Sequence, residues 1–408
     1  MPTLRYSAFT KNKSLVIFLI VRVFSTFVFQ MTSVAIGWQM YSITHSAFDL
    51  GLVGLVQFIP MVLFTLIVGM VADRFNRKLI ICISQAVLAA AFIFLSISSH
   101  MGWVNREWIL GIVFFLGTAN AFQGPAIRSL LPNIVSKESF TQATAGVSSL
   151  TQVATIVGPA LGGILYLLSP SVVYLISGSF ALISTIIVLF IKVSQNREQR
   201  EPVTAKSLVM GISFIKERPT ILGAISLDLF AVLFGGATAL LPIYASSILK
   251  TGSLGLGMLR SAPAVGAMLV SLYLARHPIR RAVGRSMFAA VVVFGIATLI
   301  FAVSRIFVLS LAALVVLGAA DVISVVIRST LVQLGTPDAM RGRVNSITQL
   351  FIGTSNQLGE FESGVTASWF GVVPAAILGG VGTIAVVLAW VKLFPSLYRE
   401  DAFQYDGR

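Results

Sequence analysis

Apolar residues gather along this chain into long runs separated by short polar intervals. A run of about 18 residues or more is enough for a helix to cross the hydrocarbon core of a bilayer. Twelve are counted, at 15–41, 49–72, 79–97, 108–131, 141–167, 172–192, 220–248, 254–275, 286–303, 307–334, 344–370 and 373–394. The longest polar interval, 193–219, parts six runs from six. The pattern predicts an all-α membrane protein whose twelve transmembrane helices form two pseudo-symmetric six-helix bundles, residues 1–192 and 220–408. The interval between them reads as a cytoplasmic linker, amphipathic or partly disordered. The polar, basic start ends at Lys13, and the run behind it is too long for a signal-peptide core and lacks a cleavage site. It is expected to remain as the first helix.

The second half reads as a copy of the first. The fourth run carries Leu116-Gly117-x-Ala119-Asn120 and then Ile127-Arg128-Ser129, and the tenth carries Leu317-Gly318-x-Ala320-Asp321 and then Ile327-Arg328-Ser329. Ser149-x-Thr151-Gln152 in the fifth run likewise matches Ser346-x-Thr348-Gln349 in the eleventh. Each match is weak alone, but all keep a separation of about 200 residues. Parallel six-helix repeats predict a site at their interface near the midplane, opened to each side in turn.

Composition agrees: 56% of the 408 residues are hydrophobic and 11% charged, which excludes a soluble globular domain. The net charge of +14 does not point to nucleic acid, because the cations sit in short loops between apolar runs. With the N-terminus inside, 22 Lys and Arg fall on one side and Arg106, Lys250 and Arg305 on the other. That asymmetry predicts a multi-pass protein of a bacterial inner membrane with both termini in the cytoplasm. The single cysteine, Cys82, lies within an apolar run, and His45, His100 and His277 show no ligand spacing. No metal and no cofactor are expected, and no Ser-His-Asp or paired-His constellation at membrane depth supports an enzyme. The expected partners are a small-molecule substrate, protons and the bilayer itself. Nothing requires more than a monomer.

A charge inside the bilayer costs at least about 2.5 kcal/mol, so it is usually paired, hydrated or functional. Arg22, Asp228, Arg260, Asp321, Glu360 and Glu362 lie at such depth, while Arg128 and Arg328, about one turn from the ends of their runs, are expected to snorkel. Asp321 replaces Asn120 of the other repeat, so it reads either as an ion-coupling acid or as a side chain that hydrogen-bonds across helices. Glu360 and Glu362 point to different sides of one helix; one is expected to line a cavity and the other to pack against a neighbour. Asp228 is the fourth candidate proton carrier, with a buried hydrogen-bonding acid as its plain alternative. In the first run Arg22, Thr26, Phe29 or Gln30, Ser33 and Gly37 recur in steps of three and four, a polar stripe that suits either a wet cavity or helix packing. Asn120, Gln123, Gln152, Gln349 and Asn356 complete the candidate substrate lining.

Two motifs concern movement. Gly69-Met70-Val71-Ala72-Asp73-Arg74-Phe75-Asn76-Arg77-Lys78 is a tight basic turn holding one acid, suggesting switchable ion pairs at a helix end. Gly158-Pro159-Ala160-Leu161-Gly162-Gly163 should kink the fifth helix and press it against a partner. The first motif resembles the loop between helices 2 and 3 of the major facilitator superfamily, with Asn76 where the family usually has Gly. The second resembles the antiporter motif of that superfamily's exporters. Pro337 to Asn345, Val21 to Ser25 and Leu358 to Gly364 resemble the exporter group that contains the enterobactin exporter and the multidrug and macrolide efflux carriers. The resemblance implies a gating role for Gly69, Asp73, Arg74, Arg77, Gly158, Pro159, Gly162 and Gly163. Arg74 and Arg77 would pair with nearby acids, and Arg341 and Arg343 would stand where Asp73 meets the start of helix 11. The span-4 Arg of many proton-driven exporters is absent: Gln123-Gly124 is present, but Asn120 holds the Arg position.

The function expected from these features is proton-coupled secondary active export of an amphipathic small molecule, a siderophore or a drug, by alternating access. A lysophospholipid transporter or flippase and a nutrient importer of the same fold remain open, and so does a scramblase without ion coupling.

Overall fold

The computed structural model describes residues 12–193 and 205–403; within its helices the side chains of residues 65, 66, 69, 70, 72–74, 137, 205–208 and 339 lie outside the description. The apolar runs fold as helices α1 (Lys13–Thr44), α2 (Ala47–Arg74), α3 (Arg77–His100), α4 (Arg106–Leu130), α5 (Lys137–Leu168) and α6 (Pro170–Val188). These are followed by α7 (Pro219–Phe234), α8 (Gly252–Arg276), α9 (Val283–Val303), α10 (Phe307–Leu334), α11 (Asp338–Phe370) and α12 (Val372–Leu393). Among the described residues, eleven stretches are long and apolar enough to cross a membrane. The exception is α11, which has the length, 33 residues, but carries Asp338, Arg341, Arg343, Glu360 and Glu362. The linker contains a helix at Ala205–Lys216.

Polar residues set the helix limits. Asn76 ends the turn after α2 and accepts the Lys78 amide at 3.0 Å, capping α3. Asn105 accepts the Trp108 amide at 2.9 Å and caps α4. These side chains satisfy donors that a helix start leaves without intrahelical partners. The run expected at 220–248 is not one regular helix. It stops at Gly235, passes through a 3-10 turn at Ala237–Leu240, and resumes as a short helix and a π-helical turn to Ile248.

The chain divides into two compact units, residues 1–39 with 59–202 and residues 40–58 with 203–408. The first has a core of Leu15, Phe18 and Val21 from α1, Ile80 and Ile81 from α3, and Ala126, Ile127 and Leu130 from α4. The second packs α7, α9, α10 and α12 around Leu227, Met287, Phe288, Ile327 and Val387. A smaller cluster joins Ile215 of the linker helix to Ile221, Val332, Val344 and Ile347. The linker helix is therefore docked on α7, α10 and α11.

Segment 40–58 groups with the later helices because of a glycine seam. A Cβ on Gly51 would stand 3.0 Å from Gly364 Cα, and one on Gly54 would stand 2.8 Å from Glu360 Cβ. Backbones come this close only where side chains are missing. Phe48 meets Phe361 edge-on at 6.3 Å beside the seam.

Candidate transport site

In the first unit the hydrogen bonds that join α1 to its neighbours run through Ser25, which is not one of the stripe residues: Gln85 of α3 donates to the Ser25 hydroxyl at 2.6 Å and Gln123 of α4 at 3.2 Å, while Ser25 donates to the Val21 carbonyl at 2.7 Å. Thr26 donates to the Arg22 carbonyl at 2.9 Å. The Gly-Pro element of α5 lies against the same helix, since a Cβ on Gly158 would be 2.7 Å from Gln30 Cβ and one on Gly162 2.9 Å from Met31 Cα. The partner expected for α5 is thus α1, and Gln30 stands at their contact. α5 runs as one helix through Pro159. Phe29 is exposed, and Arg22, Asn120 and Gln152 are partly so.

The arginines of the fourth and tenth helices differ from the snorkelling expected of them. Arg128 folds back along α4, with its guanidinium nitrogens 3.8 and 3.9 Å from where a Gly124 Cβ would be, pointing toward the helix middle rather than its end. Arg328 is buried, 4% exposed, and forms an ion pair with Asp228 of α7, itself 5% exposed. A long side chain that finds an acid on the neighbouring helix satisfies its charge without reaching for the interface. Asp321 sits one turn beyond Gly318, which abuts the Pro263 carbonyl of α8. It makes no hydrogen bond or ion pair among the described residues.

Glu360 and Glu362 do take different sides of α11. Glu360 lies over Gly54 and within electrostatic reach of Arg260 on α8. Glu362 is held by hydroxyls of its own helix, accepting from Thr366 at 2.8 Å and Ser363 at 3.4 Å. The break in α7 falls opposite these acids, for a Cβ on Gly359 would stand 2.9 Å from the Val232 and Leu233 carbonyl oxygens. On the same helix Gln349 and Asn356 are exposed, and Asn356 donates to the Ile352 carbonyl at 3.0 Å.

At the gating motif the side chains of Gly69, Asp73 and Arg74 lie outside the described residues. The neighbouring cations bind carbonyls rather than acids: Arg77 donates to Ser129 at the end of α4 at 3.0 Å, and Lys78 to Leu189 just past α6 at 2.9 Å. Cations there also meet the negative ends of the helix dipoles. Arg341 pairs with Asp338 on its own helix and donates to the Gln333 carbonyl at 3.2 Å. Arg343 lies 3.6 Å from the Met340 sulfur. Ser25, Gln85, Gly51, Gly54 and the Gly235-Gly236 break were not singled out from sequence. Arg260 was noted only as a charge at membrane depth. Its signal was present, a lone cation in an apolar run, but its partner on α11 is a hundred residues away.

Long helices that hold charged side chains at bilayer depth, divided between two compact units, describe a multi-pass membrane transporter. The chain belongs to the Transmembrane secretion effector family of the major facilitator superfamily, whose sequence model matches residues 5–403. It is 25% identical over 377 residues to the enterobactin exporter EntS of Citrobacter koseri, covering 90% of this chain and 89% of that one. The EntS of Salmonella typhi is 24% identical over 379 residues, again covering 90% and 89%. Among solved structures, a point mutant of the nucleoside transporter NupG superposes with a TM-score of 0.76 at 15% identity, covering 94% of this chain and 100% of that one. A bacterial homologue of the human lysosomal transporter Spinster, in an inward-facing and occupied conformation, gives 0.71 at 15% identity and 96% coverage of both. These likenesses fix the major facilitator fold, and the family makes the chain a transporter and not an enzyme.

Proposed function

We propose that the chain exports an amphipathic small molecule, a siderophore first and a drug next, by proton-coupled alternating access across a bacterial inner membrane with both termini in the cytoplasm. The observation that carries the reading is Glu360, an acid on α11 that rests on the glycine seam with α2, near Arg260 of α8. Protonating Glu360 removes its attraction for Arg260, which frees α11 to shift against the helices it touches. Two conformations related by such a shift let a proton entering on one side be exchanged for cargo leaving on the same side. Asp321 and Glu362 are the next candidates for the carrier. Asp228 ranks behind them because the ion pair with Arg328 already occupies it. The turn bearing Asp73 and the α5 motif are assigned to holding one state closed. The export direction and the siderophore come from the named relatives, and the inward orientation of the termini from the loop cations.

The test is substrate-dependent proton movement in proteoliposomes, with the parent beside Glu360→Gln, Glu362→Gln, Asp321→Asn and Asp228→Asn. Glu360→Gln is expected to abolish uphill transport while leaving exchange of bound cargo intact. If all four neutral variants still drive cargo uphill on a proton gradient, the coupling assignment is wrong.

A further inference from the structure

The turns that follow the second helix of each half are both rich in cations and use them differently. After α2, Arg77 and Lys78 donate to the carbonyl groups of Ser129 and Leu189 at 3.0 and 2.9 Å. After α8 stand Arg276, Arg280, Arg281 and Arg285, all exposed, and among the described residues none of the four pairs with an acid. The start of α9 is held instead by the segment that follows α12. Asp401 accepts the Ala282 amide at 3.1 Å, and the Glu400 carbonyl accepts that of Gly284 at 2.8 Å. Arg285 lies over the Tyr398 ring at 6.0 Å, and Ile279 packs against the core of the second unit. The turn is thus fixed on the protein while its guanidinium groups stay exposed.

The helix that leads into this turn supplies the rest of a surface. Leu269, Leu272, Tyr273 and Arg276 recur in steps of three and four, so they share one side of α8. Leu269, Leu272 and Tyr273 are 54%, 60% and 60% exposed. Exposed apolar side chains on a membrane-crossing helix meet lipid chains, and a tyrosine near the helix end sits at headgroup level. Its ring is steadied by stacking on His277 at 4.7 Å. The stripe therefore runs from the acyl region straight into a group of cations, which is the order of chain and phosphate in an anionic phospholipid. A preference of loop cations for one side of the membrane explains their presence but not this alignment. Arginine adds the planar fork of donors that fits phosphate oxygens.

We propose that the end of α8 and the α8–α9 turn form a docking surface for an anionic phospholipid, its chain along Leu269, Leu272 and Tyr273 and its phosphate among Arg276, Arg280 and Arg281. The binding depends neither on the exporter reading nor on which side of the bilayer the turn occupies. Purified full-length protein in a neutral maltoside detergent is titrated with tail-labelled fluorescent phosphatidylglycerol and phosphatidylcholine, which share their chains and differ in net charge, and anisotropy is read. Phosphatidylglycerol is expected to bind roughly tenfold more tightly or better, with the advantage shrinking as salt is raised. Arg280→Gln and Arg281→Gln should each weaken its binding about fivefold, and the two together about 25-fold, the factor that follows from one basic residue near a lipid surface. Arg305→Gln, which removes the same charge from another loop, should bind as the parent does. Glycerol 1-phosphate, the same phosphate without chains, should not displace the labelled lipid at concentrations where unlabelled phosphatidylglycerol does. Equal binding of the two lipids overturns the proposal, as do Gln variants that bind like the parent or a preference that salt leaves unchanged. Glycerol 1-phosphate that competes as well as the lipid also overturns it, by reducing the surface to a plain anion site. The substituted side chains are exposed, and if a variant fails to fold, the parent's lipid preference and its salt dependence decide the matter alone.

Discussion

At the scale of single residues, the ion pair between Asp228 and Arg328 is the contact whose removal has the most predictable cost. Both partners are buried, so each was desolvated on folding and each depends on the other to compensate. Asp228→Asn leaves a buried guanidinium without its counter-charge, and the expected loss is about 3–5 kcal/mol. The combination of Asp228→Leu with Arg328→Met removes both charges and keeps an apolar contact, so it should recover most of that loss. Thermal unfolding in one detergent, with the two single variants beside the double, measures this. A double variant no more stable than the singles would mean the pair is not the source of the effect. The same pair shows why the snorkelling expected of Arg328 fails. Depth along α10 is readable from the order of residues, but an acid on a helix a hundred residues earlier is not.

Among helices, close approach is set by the residues that lack side chains. Both glycine contacts concern α1 or α2 rather than the helix that bears the motif, which is why sequence names one side of each contact only. Gly158 and Gly162 of α5 were legible as a packing motif, while Met31, which Gly162 presses against, carries no packing signature. The twelve-helix count was legible because an apolar run long enough to span is a property of composition. The break in α7 was not, because averaging over 220–248 hides a stop at Gly235 that only Gly235-Gly236 and Pro242 hint at. At α5, a Cβ on Gly162 would lie 2.9 Å from the Met31 backbone, which cannot rotate away. Gly162→Leu should therefore destabilise by about 1–3 kcal/mol, the usual cost of overpacking, and lower transport in proportion. Gly111, whose added Cβ would meet nothing within 4 Å, is the matched control, since Gly111→Leu should leave both unchanged. Equal damage at the two positions would show that the added bulk itself, and not the α1 contact, decides.

Across the whole molecule, the Ile-Arg-Ser element recurs in two electrostatic settings. The recurrence was visible in the matched Ile-Arg-Ser elements, and the difference between their settings was not, because it resides in which charge a neighbouring helix presents. The second unit closes its arginine with an acid and is neutral there; in the first, Arg128 is exposed and makes no ion pair among the described residues. If that difference is what separates a scaffold from a binding surface, it should be transferable. Arg22→Asp gives Arg128 the kind of partner that Asp228 gives Arg328. Replacing repulsion by attraction should raise the midpoint of thermal unfolding above the parent's, the reverse of what most substitutions do to a membrane helix. Arg22→Asn removes the repulsion without adding an acid and should lie between the two in stability. A fall in stability for Arg22→Asp, with Arg22→Asn at or above it, would mean that Arg22 and Arg128 do not sense each other, and the asymmetry would then carry no functional weight.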